Sequence, residues 1–398
     1  MISEKILTII SEYNPLHFGH IYHLEESIKK TNPSIKIAII SGNFVQRGEP
    51  AILNKWERAK IALEAGFDLV IELPCIYAIS SAENFANGAI KIANQLNSSY
   101  ISFGSECGDL KKLQTISSLI NKNEKQYSCS VKNKISKGFS YPKAQELVIS
   151  DLFGNEFANI CKSNNILGLE YLKSLSKINS NIIPITVKRN NANKLSSSEI
   201  RKSLRANNLT NLEKTKSLPE FVLKTLKENI NNGNLVFSLK SFEKELFYKL
   251  RTTNIETIKS TPDIPENMIS NLKKYSENTN SLEILIQSLK NKSITQARIQ
   301  RILLYILLGI TKKDMEISKS TNPYIRVLAM NKNGKKILSS ISPLANVITS
   351  VKDFESKCSN QDLLRILAID KQATNIYTLA YQNNSKSNLD YTTKIITK

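Results

Sequence analysis

The first half of the chain alternates short apolar runs with segments of helical spacing, and this alternation restricts the folds that it can adopt. Runs rich in β-branched residues predict strands at residues 5–11, 35–41, 67–73, 100–103 and 182–187. Segments with helical spacing lie between them, at residues 20–30, 55–65, 81–95 and 164–176. Nearly continuous apolar strands that alternate with helices indicate βαβ units, in which helices cover both faces of a parallel sheet. We therefore predict an α/β fold with a five-stranded parallel sheet.

The pattern changes after about residue 196. Strand signals become sparse, and amphipathic segments with helical spacing follow one another at residues 215–230, 240–252, 264–274, 281–291, 294–309, 333–341 and 361–381. We predict a first domain over residues 1–205 and a second, mostly helical domain over residues 206–398, with the boundary in the polar stretch at 205–216.

Charge is divided unevenly between these regions. The chain carries a net charge of +20, but residues 1–110 hold 9 basic and 12 acidic side chains, whereas the remaining residues hold 46 basic and 23 acidic ones. A basic body favours a polyanionic partner, and nucleic acid is the first candidate. The alternative interpretation is a general enrichment in Lys and Asn, which are frequent throughout the chain.

Two protein classes do not fit the sequence. No apolar run reaches the about 18 residues that a membrane-spanning helix needs, so we expect a soluble, cytoplasmic protein without a membrane partner. The five cysteines are too far apart for a CxxC pair or a metal knuckle, and we predict no metal site held by the protein.

All three histidines of the chain lie in one short segment, EYNPLHFGHIYHL, directly after the first predicted strand. Helix N-termini at this place in α/β sheets bind phosphates, because free N–H groups and the helix dipole face the ligand. Gly19 lets the backbone approach a ligand closely, and His17 and His20 can donate hydrogen bonds to phosphate oxygens, so we predict that both are catalytic. His23 is interpreted as a packing or supporting residue.

A second candidate anion site is the segment SSSEIR at residues 196–201. Its serines can cap a helix, and Arg201 lies about one helical turn further on. Serine-rich caps are common, so this segment alone is a weak signal. Combined with the HxGH turn, however, it resembles the nucleotidylyltransferase superfamily, whose members attack the α-phosphate of ATP and expel pyrophosphate.

Longer blocks of the sequence resemble the bacterial tRNA(Met) cytidine acetate ligase family. In the first half they are EYNPLHFGHIYHL, SGNFVQRGEPAILNKWERAKIAL, DLVIELP, SSAENFANGA, SFGSECGD, NNILGLEYL and PITVKR. In the second half they are TQARIQRILLYILLG, PYIRVLAMNKNGKKIL and DKQATNIYTLAY. The resemblance implies a Rossmann-like nucleotidylyltransferase domain and a helical, basic domain that binds tRNA.

The resemblance also implies a two-step reaction. Acetate is activated with ATP as acetyl-adenylate, and the acetyl group passes to N4 of the wobble cytidine of elongator tRNA(Met), giving N4-acetylcytidine. Carried over to this chain, the ATP site includes Ile10, Ser11, Glu12, Tyr13, Asn14, Pro15, Leu16, His17, Phe18, Gly19, His20, Ile21, Tyr22, His23, Gly104, Asn164 or Asn165, Arg189, Ser197 and Arg201. Of the two asparagines Asn164 is favoured, and either could instead be an ordinary helix cap. We expect Mg²⁺ to accompany ATP.

One segment departs from the family pattern. After the fifth strand, residues 190–195 read NNANKL, which is shorter than the family's loop and lacks its histidine. Phosphate contacts from this loop are therefore not assigned.

The acetate pocket is predicted from the segment that follows the second strand. Asn43, Gln46 and Arg47 lie at the edge of the sheet where open α/β folds bind ligands. Arg47 can hold a carboxylate through two parallel hydrogen bonds, although a loop arginine in solvent is the alternative. Lys55, Glu57 and Arg58 are interpreted as charges on a helix surface. No general base is assigned.

The predicted tRNA contacts lie in the second half. Arg298 and Arg301 share one face of a helix, and Lys335 and Lys336 adjoin Gly334 in a predicted turn. A solvated face is the competing interpretation for each of them. Two other functions stay open on the sequence: a nucleotidylyltransferase for a small phosphorylated metabolite, and an RNA-binding protein with a vestigial nucleotide site.

Overall fold

The computed structural model describes residues 4–154, 157, 160–189, 195–206, 209, 217–292, 294–341, 346–383 and 386–398. Ten strands occur in these ranges. They are β1 (Ile6–Ser11), β2 (Ile35–Ser41), β3 (Phe44–Val45), β4 (Glu49–Pro50), β5 (Leu69–Leu73), β6 (Tyr100–Ser105), β7 (Ile183–Lys188), β8 (Ile325–Met330), β9 (Val347–Ile348) and β10 (Ile396–Thr397).

The five strands predicted from the sequence form one parallel sheet in the order β5-β2-β1-β6-β7. This is the strand order of a Rossmann-like fold, with β1 at the centre, so the predicted fold class is confirmed. Because all five strands run the same way, their carboxyl ends meet at one edge, which we call the carboxyl edge.

Helices fill most of the remaining chain. In the first half they are α1 (Phe18–Thr31), α2 (Lys55–Glu64), α3 (Cys75–Ala78), α4 (Ala82–Gln95), α5 (Leu110–Lys122), α6 (Glu124–Ser136), α7 (Tyr141–Phe153), α8 (Ser163–Lys177) and α9 (Ser197–Arg205). In the second half they are α10 (Glu220–Asn231), α11 (Glu243–Thr252), α12 (Ile255–Lys259), α13 (Glu266–Asn278), α14 (Leu282–Leu289), α15 (Gln296–Leu308), α16 (Lys312–Ser320), α17 (Lys332–Ser340), α18 (Val351–Lys357), α19 (Gln361–Leu379) and α20 (Leu389–Thr392). Each amphipathic segment predicted in the second half overlaps one of these helices.

The second half also extends the sheet of the first, which the sequence did not predict. β8 pairs antiparallel with β5, and β9 and β10 both pair with β8, so the complete sheet has eight strands. The sparse strand signals hid β8, because its short apolar run IRVLAM lies among long helical segments. The division at residues 205 and 206 stays a prediction.

Alternating residues of the strands pack into two cores. Ile37 and Ile39 of β2 join the core on one face of the sheet, whereas Ala38 and Ile40 join the core on the other. All four side chains are buried, as the continuous apolar pattern of this strand predicts.

A buried cluster of charges connects β5 with the second half of the chain. The Nζ atom of Lys55 lies 2.9 Å from Glu72 Oε1 and 2.7 Å from Asp390 Oδ1. Arg326 Nη2 lies 2.7 Å from the same Asp390 oxygen. Burial raises the pKa of Asp390, but Lys55 and Arg326 outweigh it and hold that pKa at about 2.

The interpretation of Lys55 and Arg58 as surface charges of a helix was wrong, because both side chains are fully buried. Ionised groups can lie in a protein interior when opposite charges or hydrogen bonds compensate for the lost water. Lys55 has carboxylates around it, and Arg58 has backbone carbonyls.

We predict that Asp390→Ala lowers the free energy of unfolding by about 3–5 kcal/mol, because it leaves two buried cations without their shared carboxylate. Urea denaturation followed by circular dichroism measures the change. Glu26→Ala is the control: it breaks the Glu26–Lys29 pair at the surface, where water screens the attraction, so the free energy of unfolding should change little. Equal losses in both variants would contradict a stabilising role for the cluster.

Candidate active site at the carboxyl edge of the sheet

The HxGH segment forms the turn from β1 into α1, at the carboxyl edge. His17 is the N-cap of α1, and its Nδ1 accepts a hydrogen bond from the Gly19 N–H at 2.9 Å. In return, Nδ1 of His20 accepts the His17 N–H at 3.2 Å. The two histidines thus form a reciprocal capping box, which explains why they stand three residues apart.

Gly19 is needed for a reason that the sequence did not reveal. A Cβ atom at this position would lie 2.7 Å from Cε1 of His17, too close for a real contact. The missing side chain therefore makes room for the His17 ring, which lies 4.0 Å from the His20 ring between centroids.

The surroundings keep these histidines neutral. Burial and the nearby Arg189 lower the pKa of His17 to about 4. Burial, together with His17, His23 and Arg189, lowers the pKa of His20 well below its usual value. Because Nδ1 of each neutral ring accepts a backbone N–H, the ring proton lies on Nε2. Both side chains are therefore hydrogen-bond donors through Nε2, which suits an anionic ligand.

His23 has a supporting position one turn further along α1. Its Nε2 lies 2.9 Å from the hydroxyl of Ser102 on β6, which also contacts Ser27 at 2.6 Å. Burial, Arg189 and Lys30 lower the pKa of His23 to about 4. The interpretation of His23 as a packing or supporting residue agrees with these contacts.

The ends of β6 and β7 bring Gly104 and Arg189 to the same region. Gly104 pairs with Val187 in the sheet, and Arg189 donates its backbone N–H to Ser105 at 3.0 Å. The Arg189 side chain is exposed, and its positive charge contributes to the low pKa of all three histidines. Residues 190–194 of the divergent loop lie outside the described residues.

Asn164 and Asn165 are both bound to the loop after β6. Glu106 accepts the Asn164 side-chain amide at 2.7 Å and the Asn165 N–H at 2.9 Å, so it caps the N-terminus of α8. Asn165 Oδ1 accepts the Glu106 N–H at 2.9 Å in return. Neither asparagine is itself the helix cap, because Lys162 precedes α8 and both asparagines lie in its first turn. The contacts instead give a role to Glu106, which sequence reasoning did not single out.

The SSSEIR segment begins α9 and reaches the HxGH turn. Ser196 is its N-cap, in a capping box with Glu199, and Ser197 is the first helical residue. Arg201 donates from Nη1 to the carbonyl oxygen of Asn14 at 3.0 Å. The structure therefore brings together the two motifs that the sequence singled out, 187 residues apart.

The other residues predicted for the ATP site surround the HxGH turn. Ile10 and Ser11 end β1, and Phe18, Ile21 and Tyr22 lie in the first part of α1. Tyr13, Asn14, Pro15 and Leu16 are buried between them. The Tyr13 ring packs edge-on against the His20 ring, with 5.0 Å between ring centroids, so this buried tyrosine supports the HxGH turn.

The segment after β2 divides into a buried and an exposed part. Asn43 is only 3% exposed; its side chain donates to Thr374 at 3.1 Å and accepts the Lys55 N–H at 2.9 Å. Gln46 is half-buried, and Glu12 accepts its backbone N–H at 2.9 Å. Arg47 is exposed at the carboxyl edge.

Arg58 organises the ends of β1 and β2, and sequence reasoning missed it. Its guanidinium donates to the carbonyl oxygens of Glu12 at 2.8 Å, Ser41 at 2.9 Å and Leu53 at 3.0 Å, and also to that of Gly42. A basic residue early in a helix looks like any surface charge, so the sequence carries no signal for this role.

The four predicted tRNA contacts do not form one patch. Arg301 donates to the Gln46 carbonyl at 3.5 Å, beside the carboxyl edge, and Arg298 donates to the Asp263 carbonyl at 2.8 Å. Lys335 and Lys336 are exposed on α17, which begins at the opposite edge, where Asn331 donates its N–H to Asp68 just before β5.

The described ranges contain neither an obvious metal site nor a candidate membrane span. No group of three or more His, Cys, Asp or Glu side chains there is arranged to hold a metal ion. None of the helices in those ranges combines the length and the apolar character that crossing a membrane requires.

Comparisons with known proteins agree with this geometry. Residues 4–392 match the family model described as HIGH Nucleotidyl Transferase. The tRNA(Met) cytidine acetate ligase of Caldanaerobacter subterraneus subsp. tengcongensis is 41% identical, with 98% of this chain and 99% of the relative covered. The ligase of the same name from Acetivibrio thermocellus is 37% identical, with 98% and 99% covered.

A solved structure supports the same relationship. The crystal structure of Thermotoga maritima TmcAL bound with alpha-thio ATP is similar to this chain with a TM-score of 0.92 and 30% sequence identity, and 99% of each chain is covered. The family model and the full-length relatives together show that this chain belongs to the HIGH nucleotidyl transferase family, among the tRNA(Met) cytidine acetate ligases.

Proposed function

We propose that this chain is an ATP-dependent ligase that acetylates N4 of the wobble cytidine of elongator tRNA(Met), in the cytoplasm. The observation that carries the proposal is the pair of neutral histidines in the capping box, which present two Nε2–H donors at the carboxyl edge. The names of full-length relatives and the nucleotide bound to the Thermotoga protein support it.

In the first step, an acetate oxygen attacks the α-phosphorus of ATP, and pyrophosphate leaves. Acetate is already a nucleophile, so this step needs positioning and charge stabilisation instead of proton removal. His17 and His20 donate to the phosphate oxygens whose charge grows during the attack. Arg189 and Arg201 add positive charge on two sides of the same turn.

Acetate binds beside this turn, in the segment after β2. The exposed Arg47 guanidinium and the Gln46 side chain are the groups that can reach a carboxylate there. The buried Asn43 holds the segment in place through Thr374 and Lys55. Both contacts of Asn43 are within the protein, so its contribution to acetate binding is indirect.

Mg²⁺ enters the proposal only as the companion of ATP. Among the described residues, no group of three or more His, Cys, Asp or Glu side chains is arranged to hold an ion. No step is therefore assigned to it.

A single experiment tests the overall reaction. The enzyme is incubated with ATP, ¹³C-labelled acetate and unmodified tRNA, and the nucleosides of the RNA are analysed by mass spectrometry. Labelled N4-acetylcytidine together with AMP is the expected result. A stable dinucleotide product would instead indicate a nucleotidylyltransferase acting on a small metabolite.

We predict that His20→Ala slows acetyl-adenylate formation by about 10²–10³-fold, because the α-phosphate loses a positioned donor. Acetate-dependent exchange of pyrophosphate into ATP measures this step without RNA. His20→Gln is the matched variant, since glutamine at the same position of a capping box can still accept the His17 N–H. It should restore the thermal stability lost in His20→Ala but not the exchange rate. Exchange near the wild-type rate in either variant would contradict the role of His20.

We predict that His17 and His23 titrate with midpoints near pH 4 in the folded protein. In the unfolded chain they titrate near 6.5. The unfolded state thus binds more protons between these values, and the free energy of unfolding falls as the pH drops through this window. NMR spectra of the imidazole Cε1–H groups, recorded against pH with and without urea, measure the midpoints. Midpoints near 6.5 in the folded protein would show that both side chains are cationic at mildly acidic pH.

RNA binding is proposed to use both edges of the sheet. Arg301 adjoins the reaction site through Gln46, and Arg298 lies one turn earlier on the same helix. Lys335 and Lys336 provide a second contact at the opposite edge. RNA phosphates that pair with such side chains release counterions, which makes binding dependent on salt.

We predict that Lys335→Ala combined with Lys336→Ala weakens tRNA binding. The slope of the logarithm of the binding constant against the logarithm of the salt concentration should become less steep by about 0.7–0.9 per lost phosphate contact. Filter binding at several salt concentrations measures both effects. Pyrophosphate exchange without RNA serves as the control and should keep its rate, because these lysines lie at the edge away from the HxGH turn. Unchanged affinity and slope would remove α17 from the RNA surface.

A further inference from the structure

The acetyl-transfer step releases a proton that the three histidines are badly placed to accept. Nδ1 of His17 and of His20 already accepts a backbone N–H, and Nε2 of each neutral ring carries the proton. His23 is engaged with Ser102 through Nε2. Burial lowers the pKa of all three, which further disfavours a protonated ring. The proton acceptor must therefore be another group.

Most carboxylates near the carboxyl edge are already committed to other groups. Glu72 is buried between Lys55 and Arg326, and Glu106 caps α8 with both oxygens. Glu49 lies 3.6 Å from Arg205 and accepts from Gln300 at 3.3 Å. Residues 190–194 contain no acidic residue and no histidine in their sequence.

Two further carboxylates cap helices next to this edge. Asp109 accepts the Lys112 N–H at 3.0 Å at the start of α5. Glu199 accepts both the N–H and the hydroxyl of Ser196 at 2.7 Å at the start of α9. Both carboxylates are therefore already used to cap the helix on which they lie.

Glu12 differs from all of these carboxylates. It directly follows β1, the central strand, and lies between the HxGH turn and the segment that carries Arg47. Its Oε1 accepts the Gln46 N–H at 2.9 Å, and its carbonyl oxygen accepts Arg58 Nη1 at 2.8 Å, so both its backbone and its side chain are fixed.

The second carboxylate oxygen of Glu12 is available. Within the part of the chain that the structure describes, Oε2 has no hydrogen-bond or ion-pair partner, and the side chain is half-buried. Burial lowers the pKa of Arg201, and the negative charges of Glu49 and Glu12 oppose this effect. Since Glu12 stands directly before the HxGH segment in the chain and its Oε1 contacts Gln46, its carboxylate adjoins the groups proposed to hold ATP and acetate.

We propose that Glu12 is the proton acceptor of the acetyl-transfer step, an inference that rests on the proposed function. The N4 lone pair of cytidine attacks the carbonyl carbon of acetyl-adenylate and forms the C–N bond. The bond from that carbon to the phosphate oxygen breaks, and AMP leaves with the electron pair. The amine proton passes to Oε2 of Glu12 and from there to water, which restores the carboxylate.

The Glu12→Gln variant separates this role from a structural one. The amide oxygen of glutamine can still accept the Gln46 N–H, but the side chain can no longer accept a proton. Two rates are measured on the full-length protein: acetate-dependent pyrophosphate exchange without RNA, and a single turnover of transfer from preformed acetyl-adenylate to unmodified tRNA. The readout is the ratio of the second rate to the first.

We expect this ratio to fall by about 10²–10⁴-fold in Glu12→Gln, the usual contribution of a positioned general base. Transfer by the wild-type protein and by the variant should differ in their dependence on pH. Glu12→Asp keeps a carboxylate and should recover part of the ratio. Recovery by aspartate but not by glutamine is a result that a purely structural role would not produce.

Several outcomes would overturn the inference. One is an unchanged ratio in Glu12→Gln; another is an equal fall of both rates, which would mean that Glu12 serves the ATP and acetate site only. A variant that keeps the wild-type pH profile of transfer would also exclude it. Failure of the proposed function looks different, because wild-type protein would then show neither acetate-dependent exchange nor acetylated RNA.

Discussion

The buried guanidinium of Arg58 holds the candidate site together. It donates to carbonyl oxygens at the ends of β1 and β2 and at Leu53, just before α2. Backbone carbonyls at a sheet edge are costly to bury without donors, and one planar cation satisfies four of them at once. The HxGH turn and the segment with Arg47 therefore have fixed positions relative to each other before any ligand binds.

The five parallel strands could be predicted because each is buried on both faces, which leaves a continuous apolar run in the sequence. The HxGH turn could be predicted for a similar reason, since its histidines satisfy a local rule of spacing at the start of a helix. Strands and helix caps, which depend on residues close together in the chain, could thus be predicted from the sequence. The addition of β8 and the reach of Arg201 to Asn14 were not predicted, because they join segments that are far apart in the chain.

Lys55, Arg58 and Asn43 show why the rest of the site was not predictable. Charged and amide side chains are usually exposed, so their burial becomes evident only when their partners are known. Lys55 pairs with Asp390, and Asn43 donates to Thr374, which lies 331 residues further along the chain. Arg58 has backbone partners, which leave no trace in the sequence at all.

The pairing of β8 with β5 has a consequence for the synthesis of the protein. β5 lies at the edge of the parallel sheet until β8 covers it, and about 260 residues separate the paired positions. At about 5–20 residues per second, a ribosome needs roughly 13–50 s to add that length. During this interval the backbone N–H and C=O groups along one side of β5 have no strand beside them. An open strand of this kind is a template for pairing with other chains, so LVIEL is a site at which the growing polypeptide is vulnerable to aggregation.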